Sequence, residues 1–552
     1  MLIRLTAMNG LEVAQDKRLI DPTRAEVALD CQVREGVIEP TRVAKRITPT
    51  LSSEVDAPWL TSAPDRAREH PNFVSGQTHA SIALLPTDDI GDNERVLSAV
   101  DGSVYYKQGN AAQILAGIGA PNIAMEDGGG TVQTDEPQVE RYFVMTEFNE
   151  FGQESAPGPV LGPIKMNVNV GSRLLDIPAN YVVGAFTTGA RVYVSNGSIN
   201  GAGYFFCAEL AARPIPGQTI ANVTAATMRD AQVRLVTQDL FPPPFGLTHL
   251  KTLASGSVAA IKEASLVYSD PVYQYGFPPN FAIPLEAQPM GIGLLDQTQV
   301  VPTDIRPYLV QGTQPGEMFA RMTDIPHACK SDRSVCEMPG SVGFASEDGY
   351  IVISAAGHEN ITAQTWTPKQ WRKFRPESIL AVYFDLQLVL FFDDGAGYRG
   401  SLWFSPGSAP VERSVWASGA YVDPYRAKMY FRQGTFIYSS DDIDAQDTGL
   451  SYGRDREFSL PTQPLQYLWR SKTFRYSKPN SIGVIQASGQ DLSLAVTVIA
   501  DGRRLTPLTV TANQRRRVPG GFKAYEWAFE FEGSGRLDGF EAATTPKELS
   551  RV

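Results

Sequence analysis

Short runs of alternating apolar and polar residues, broken by Asp-Gly or Gln-Gly, recur along this chain and decide what it can fold into. Arg95 to Lys107 (RVLSAVDGSVYYK) reads as two strands around Asp101-Gly102, a pair that supplies the positive φ angles of a tight hairpin turn. The same shape returns at Val342 to Ser354 around Asp348-Gly349, and at Leu386 to Phe404 around Asp394-Gly395. It returns again at Lys428 to Ser439 around Gln433-Gly434. A lone hairpin leaves an apolar face wet, so several must pack together. Weakly similar hairpins through the middle of the chain suit the radial blades of a β-propeller; a β-sandwich uses the same units and stays open here.

The 48 glycines and 39 prolines among 552 residues favour many turns over long helices. With 43% hydrophobic and 20% charged residues, a sizeable core is affordable and wholesale disorder is not predicted. The predicted class is all-β: a propeller-like core, an inserted fibronectin type III-like β-sandwich and a C-terminal β module. Residues 1–135 read as an N-terminal arm with the first propeller strands. Residues 136–238 read as the insertion, from RYFVMTEF (Arg141 to Phe148), ARVYVS (Ala190 to Ser195) and YFFCAELA (Tyr204 to Ala211). Glu126 to Gly130 before it reads as a flexible joint and Phe241 to Phe245 (FPPPF) after it as a stiff one. Residues 239–465 read as the remaining blades and 466–552 as the C-terminal module. There, Lys523 to Glu532 alternates strictly and predicts one apolar face and one wet face.

The most apolar window, Ile379 to Phe392, is too short to span a bilayer and is interrupted by Asp385 and Gln387, so it reads as sheet. Met1 to Gly10 lacks the pattern of a secretory signal, which predicts synthesis in a reducing cytoplasm. Cys31, Cys207, Cys329 and Cys336 then read as reduced thiols, although Cys329 and Cys336 are close enough in sequence to meet across a hairpin. Walker A, HExxH, paired CxxC and GxSxG patterns are absent. His70, His79, His249 and His327 stand apart in sequence, and His358-Glu359 reads as a surface pair. Asp393-Asp394 and Asp441-Asp442 read as solvated turns rather than cation sites. The expectation is therefore no catalytic, cofactor-binding or metal-binding residue. From Arg470 onward the chain carries 13 Lys/Arg against 8 Asp/Glu, while the whole carries −11; Arg515-Arg516-Arg517 is the sharpest basic feature and reads as an interface-forming or solvated loop.

Several stretches resemble the tail nozzle proteins of short-tailed double-stranded DNA phages. Within Met8 to Pro40 these are Arg18-Leu19-Ile20, Ala25 to Ala28, Asp30-Cys31, and Gly36 with Pro40, Asp30 standing where Asn is usual. Centrally they are Pro243 to Leu247, Tyr268-Ser269, Tyr275-Gly276-Phe277-Pro278, Tyr308-Leu309-Val310 with Gly312 and Pro315, Cys329-Lys330-Ser331 and Ala345 to Gly349. Trp371, Leu468 to Phe474 and Ala543 to Leu549 extend the likeness to the end. It departs at Phe277, where Trp is frequent, and at Arg517-Val518-Pro519, where Arg-Leu-Pro is frequent.

The resemblance implies a non-enzymatic virion protein of the phage tail. It implies a homohexamer that continues the DNA channel below the tail adaptor protein, holds fibres or spikes, and retains the genome until adsorption to the host envelope. Six copies would carry six times −11, or −66, which repels a passing duplex and lets it slide without contacts that must be broken again. Glu126 to Thr134 and Gln288 to Asp304 read as loops able to gate such a channel. Other readings are a hub or distal component of a long flexible tail, and a tail-associated glycan-binding or glycan-cleaving protein.

Overall fold

The computed structural model describes residues 1–41, 45–47, 59–63, 72–76, 78–86, 95–109, 111–195, 203–229, 232–423, 427–434, 436–440 and 466–549. Contacts divide it into two units, one of residues 1–78, 287–310 and 321–552, the other of residues 79–286 and 311–320. Both are built almost wholly of antiparallel strands. Among the described residues helix is confined to Ala225–Arg229, Pro368–Trp371 and five single 3₁₀ turns.

The first unit centres on a fifteen-stranded sheet that gathers sequence from both ends of the chain and from Leu380 to Arg413. Its longest strands, Val484–Ala500 and Ala524–Ala543, pair with each other, and Tyr467–Ser471 lies between Ala524–Ala543 and Ala25–Leu29. Leu2–Leu5 pairs antiparallel with the far end, Leu2 opposite Ala543 and Leu5 opposite Phe540, and the Met1 ammonium meets Glu548 at 2.9 Å. The opening residues, expected as an arm, are thus woven into the sheet. Ile3 and Leu5 are buried while Leu2 and Arg4 are exposed, the alternation that a half-buried strand needs. Beneath the sheet, Trp469, Trp527, Phe529, Phe531 and Phe540 form one aromatic core. The wet face predicted for Lys523 to Glu532 is corrected: Glu530 is 4% exposed, because Arg470 and Arg504 both close over its carboxylate.

Four-stranded antiparallel meanders make up much of the remainder and give the chain its propeller-like, all-β character. In the first unit one comprises Cys336–Met338, Ser341–Ser346, Gly349–Ser354 and Gly357–Asn360. Another joins Gly419–Asp423, Lys428–Gln433 and Phe436–Ser439 to the early strand Lys45–Ile47. In the second unit Ala80–Leu85, Arg95–Val100, Ser103–Gln108 and Ile114–Leu115 form a third, and Thr248–Thr252, Val258–Lys262, Ser265–Tyr268 and Ile283–Pro284 a fourth. The hairpins stand where the alternation places them, with two turns displaced by one residue. Asp101-Gly102 is the loop between Val100 and Ser103, but the loop between Ser346 and Gly349 is Glu347-Asp348, and Gln433 is already paired with Phe436. Ile379 to Phe392 forms the hairpin of Leu380–Phe384 and Gln387–Asp393, turning at Asp385-Leu386, both at positive φ.

Seven strands between Glu126 and Thr224 form two further sheets in the second unit, one ordered Glu126–Thr131, Ser172–Asp176, Thr219–Thr224, the other Leu161–Asn167, Gln138–Phe148, Gly189–Ser195, Tyr204–Leu210. They share a core that includes Phe143, Ile164, Leu175, Val192 and Val223. The flexible joint and the first gate loop are therefore corrected, since Glu126–Thr131 is a paired edge strand. Gly130 serves close approach rather than looseness: a Cβ there would collide with the Ser172 carbonyl. The second gate loop is corrected as well. Gln288 to Asp304 holds the paired strands Gly293–Leu295 and Thr298–Val301, and the Gln288 N–H donates to Asp304 Oδ1 at 2.9 Å across its base.

Candidate functional site

Strands Arg399–Phe404 and Val411–Arg413 pair with Ser401 opposite Arg413 and Trp403 opposite Val411. Arg413 and Trp403 are thereby diagonal neighbours on one face, within reach of long side chains. The guanidinium lies over the indole, 3.6 Å from the ring centroid, and Trp403 Nε1 donates to Ser401 Oγ at 2.9 Å. This pair lines a pocket of about 290 Å³ whose polar wall includes Gln32, Arg34, Thr41 and Gln387, and whose apolar wall includes Phe384, Met429 and Phe431.

Charge in this pocket is unevenly matched. Asp385 pairs with Arg34 at 3.5 Å and Glu39 with Arg536 at 3.7 Å, so both lining carboxylates face other arginines. Asp30, fully buried behind the strand, accepts from the Ser414 N–H at 2.7 Å and its hydroxyl at 2.6 Å. Asp30 has φ of +54°, a left-handed conformation that Asp and Asn tolerate best, which accounts for the residue type at this position. Arg413 Nε is buried with no hydrogen-bond partner. Burial pulls the Arg413 guanidinium down to about 10, opposed in part by Asp30 and reinforced by Arg34. The Cys31 thiol is itself pushed up to about 12 by burial, so it stays neutral and offers no counter-charge at pH 7. What the arrangement can do is hold an anion.

The residues that sequence singled out are placed elsewhere. Arg515–Arg517 is a fully exposed strand on the outer edge of Val484–Ala500, not a loop. Asp394 is spent on its own turn, accepting from the N–H groups of Ala396 and Tyr398, and Asp393 holds Arg399 at 2.7 Å. His327 and His358 approach to 6.0 Å between ring centroids. All four cysteines are free thiols, Cys329 and Cys336 among them. Asp441, Asp442 and His70 lie outside the described residues.

No family model matches the chain, and no curated protein matches it. Among solved structures it is similar to BBS1N in complex with ARL6DN, 9% identical with a TM-score of 0.28, covering 72% of this chain and 96% of that one. It is similar to BamB from Moraxella catarrhalis, 10% identical with a TM-score of 0.26, covering 72% and 99%. A third is PorZ of the type-IX secretion system of Porphyromonas gingivalis, 10% identical with a TM-score of 0.25, covering 79% and 76%. At scores this low the likenesses say nothing about what this chain does.

Two histidines far apart in sequence do meet. The rings of His79 and His249 lie 4.5 Å apart, and the His249 N–H donates to His79 Nε2 at 2.7 Å. Burial holds both well below the ordinary value of 6.5, His79 at about 4 and His249 at about 3, with Asp101 pulling His79 back up. The unfolded chain therefore binds more protons than the folded one between these values, and stability rises with pH across that window. Full stability is expected above pH 6.5, with progressive loss as pH falls toward 4. Melting temperatures between pH 7 and pH 5 check this: the wild type should fall and a His79→Asn, His249→Asn double variant should fall less. Parallel curves would contradict it.

The pocket was not legible beforehand because its parts come from residues 32 to 440. One signal did exist. Val411 and Arg413 are two residues apart, so once this stretch is a strand with Val411 buried, alternation turns Arg413 toward the same face.

Proposed function

We propose that this chain is a structural component of a phage tail, of the nozzle type, acting by assembly and shape. In this reading the four-stranded meanders are blades of a propeller, and the seven-stranded pair of sheets is a fibronectin type III-like insertion offering docking surface to fibres or spikes. Six copies encircle the passage taken by the genome.

The observation that carries the proposal is the interlock of the chain ends. Leu2–Leu5, Ala25–Leu29, Tyr467–Ser471 and Ala524–Ala543 are hydrogen-bonded into one sheet. Segments from the beginning and the end of the sequence are thereby held side by side in one continuous sheet, a frame that suits a part of an assembly through which pressurised DNA passes. A net charge of −11 per copy fits the same role, because a wall that repels phosphate does not hold it. Electron microscopy of intact virions with a gold label on this chain tests the proposal. Label at the distal end of the tail is the expected result; label on the capsid, or absence from purified particles, would overturn it.

A further inference from the structure

The Arg413 pocket has no part in assembly as proposed above. We propose that it is a binding site for a small organic acid: a carboxylate head on the Arg413 guanidinium and a compact apolar body against Phe384, Met429 and Phe431.

Three observations carry this. Arg413 lies over the Trp403 indole, 3.6 Å from its ring centroid, and lines the pocket. A guanidinium fork matches two carboxylate oxygens at once. The local carboxylates are taken, Asp385 by Arg34 and Glu39 by Arg536, while Asp30 is bonded to Ser414. An arginine desolvated against an indole with its Nε unbonded is costly unless an anion completes it. Last, the apolar wall sits beside the cation, so simple oxyanions use only half of the site. The size points to a small ligand, since about 290 Å³ lies at the low end of small-molecule cavities and the exposed Arg34–Asp385 pair lines it too.

The charge on Arg413 is what distinguishes a carboxylate from its neutral amide. Titrating the full chain with benzoate and with benzamide, followed by calorimetry and by tryptophan fluorescence, reads that difference directly. Benzoate should saturate, and benzamide should bind about ten- to a hundredfold more weakly, the loss of a charge-assisted pair. Arg413→Gln should weaken benzoate by a similar factor, and Arg413→Lys should fall between, keeping charge without the fork. Benzoate should also raise the melting temperature of the wild type, a readout independent of whether a variant folds. Equal binding of acid and amide, undiminished benzoate binding by Arg413→Gln, or no saturable binding and no shift in melting temperature would overturn the proposal.

Discussion

Trp469→Ala should destabilise the first unit by about 3–5 kcal/mol, the range for emptying a fully buried aromatic site. Trp469 is 0% exposed and stacks on Phe531, with ring centroids 5.6 Å apart and planes within 14°. Its indole N–H also donates to the Asn9 carbonyl at 3.0 Å, tying the N-terminal segment to a strand that begins more than 450 residues later. Alanine removes the stack and orphans that carbonyl at once. Trp469→Phe keeps most of the packing and loses the hydrogen bond, so it should cost only about 1 kcal/mol. Urea unfolding of both variants measures the difference; an alanine variant within about 1 kcal/mol of wild type would mean that the ends are not interlocked through this residue.

Glu147→Ala should be nearly as damaging in the second unit, at about 3 kcal/mol. The carboxylate is 2% exposed and serves three donors: Tyr181 Oη at 2.5 Å, Thr187 Oγ1 at 2.5 Å and the Gly184 N–H at 3.2 Å. Truncation leaves all three facing a void. Glu147→Gln restores the volume but turns an amide NH₂ toward groups that themselves donate, and should recover only part of the loss. Amide exchange at Gly184 gives a local reading: it should accelerate in both variants, and unchanged protection would contradict the account. The neighbouring Glu154 is held in the same manner, by Thr146, Arg191 and Tyr193. These side chains sit at or beside the turn from Phe148 to Ser155, where the fold buries the polar residues Asn149, Gln153, Glu154 and Ser155.

How much was readable follows from how local the cause is. The hairpin at Asp101-Gly102 and the strand character of Ile379 to Phe392 depend on adjacent residues, and the structure has both. The displaced loop at Glu347-Asp348 shows the limit, because cross-strand packing sets the register and the turn follows. Glu530 was misplaced because its cover, Arg470 and Arg504, comes from two other strands. Glycine runs misled in one direction: Glu126 to Gly130 reads as a loose joint, yet it is an edge strand in which the missing Cβ of Gly130 lets two backbones close up. Arg413 was invisible as a site for the reason that applies to Glu530, with the difference that its buried Nε has no hydrogen-bond partner.

The central claim, that this polypeptide works through self-association around a passage, is tested most directly by imaging the purified chain. Electron cryo-microscopy at micromolar concentration should show closed rings of identical copies, six per ring, with an open centre. Dispersed single copies that cleave host polysaccharide or peptidoglycan would contradict it.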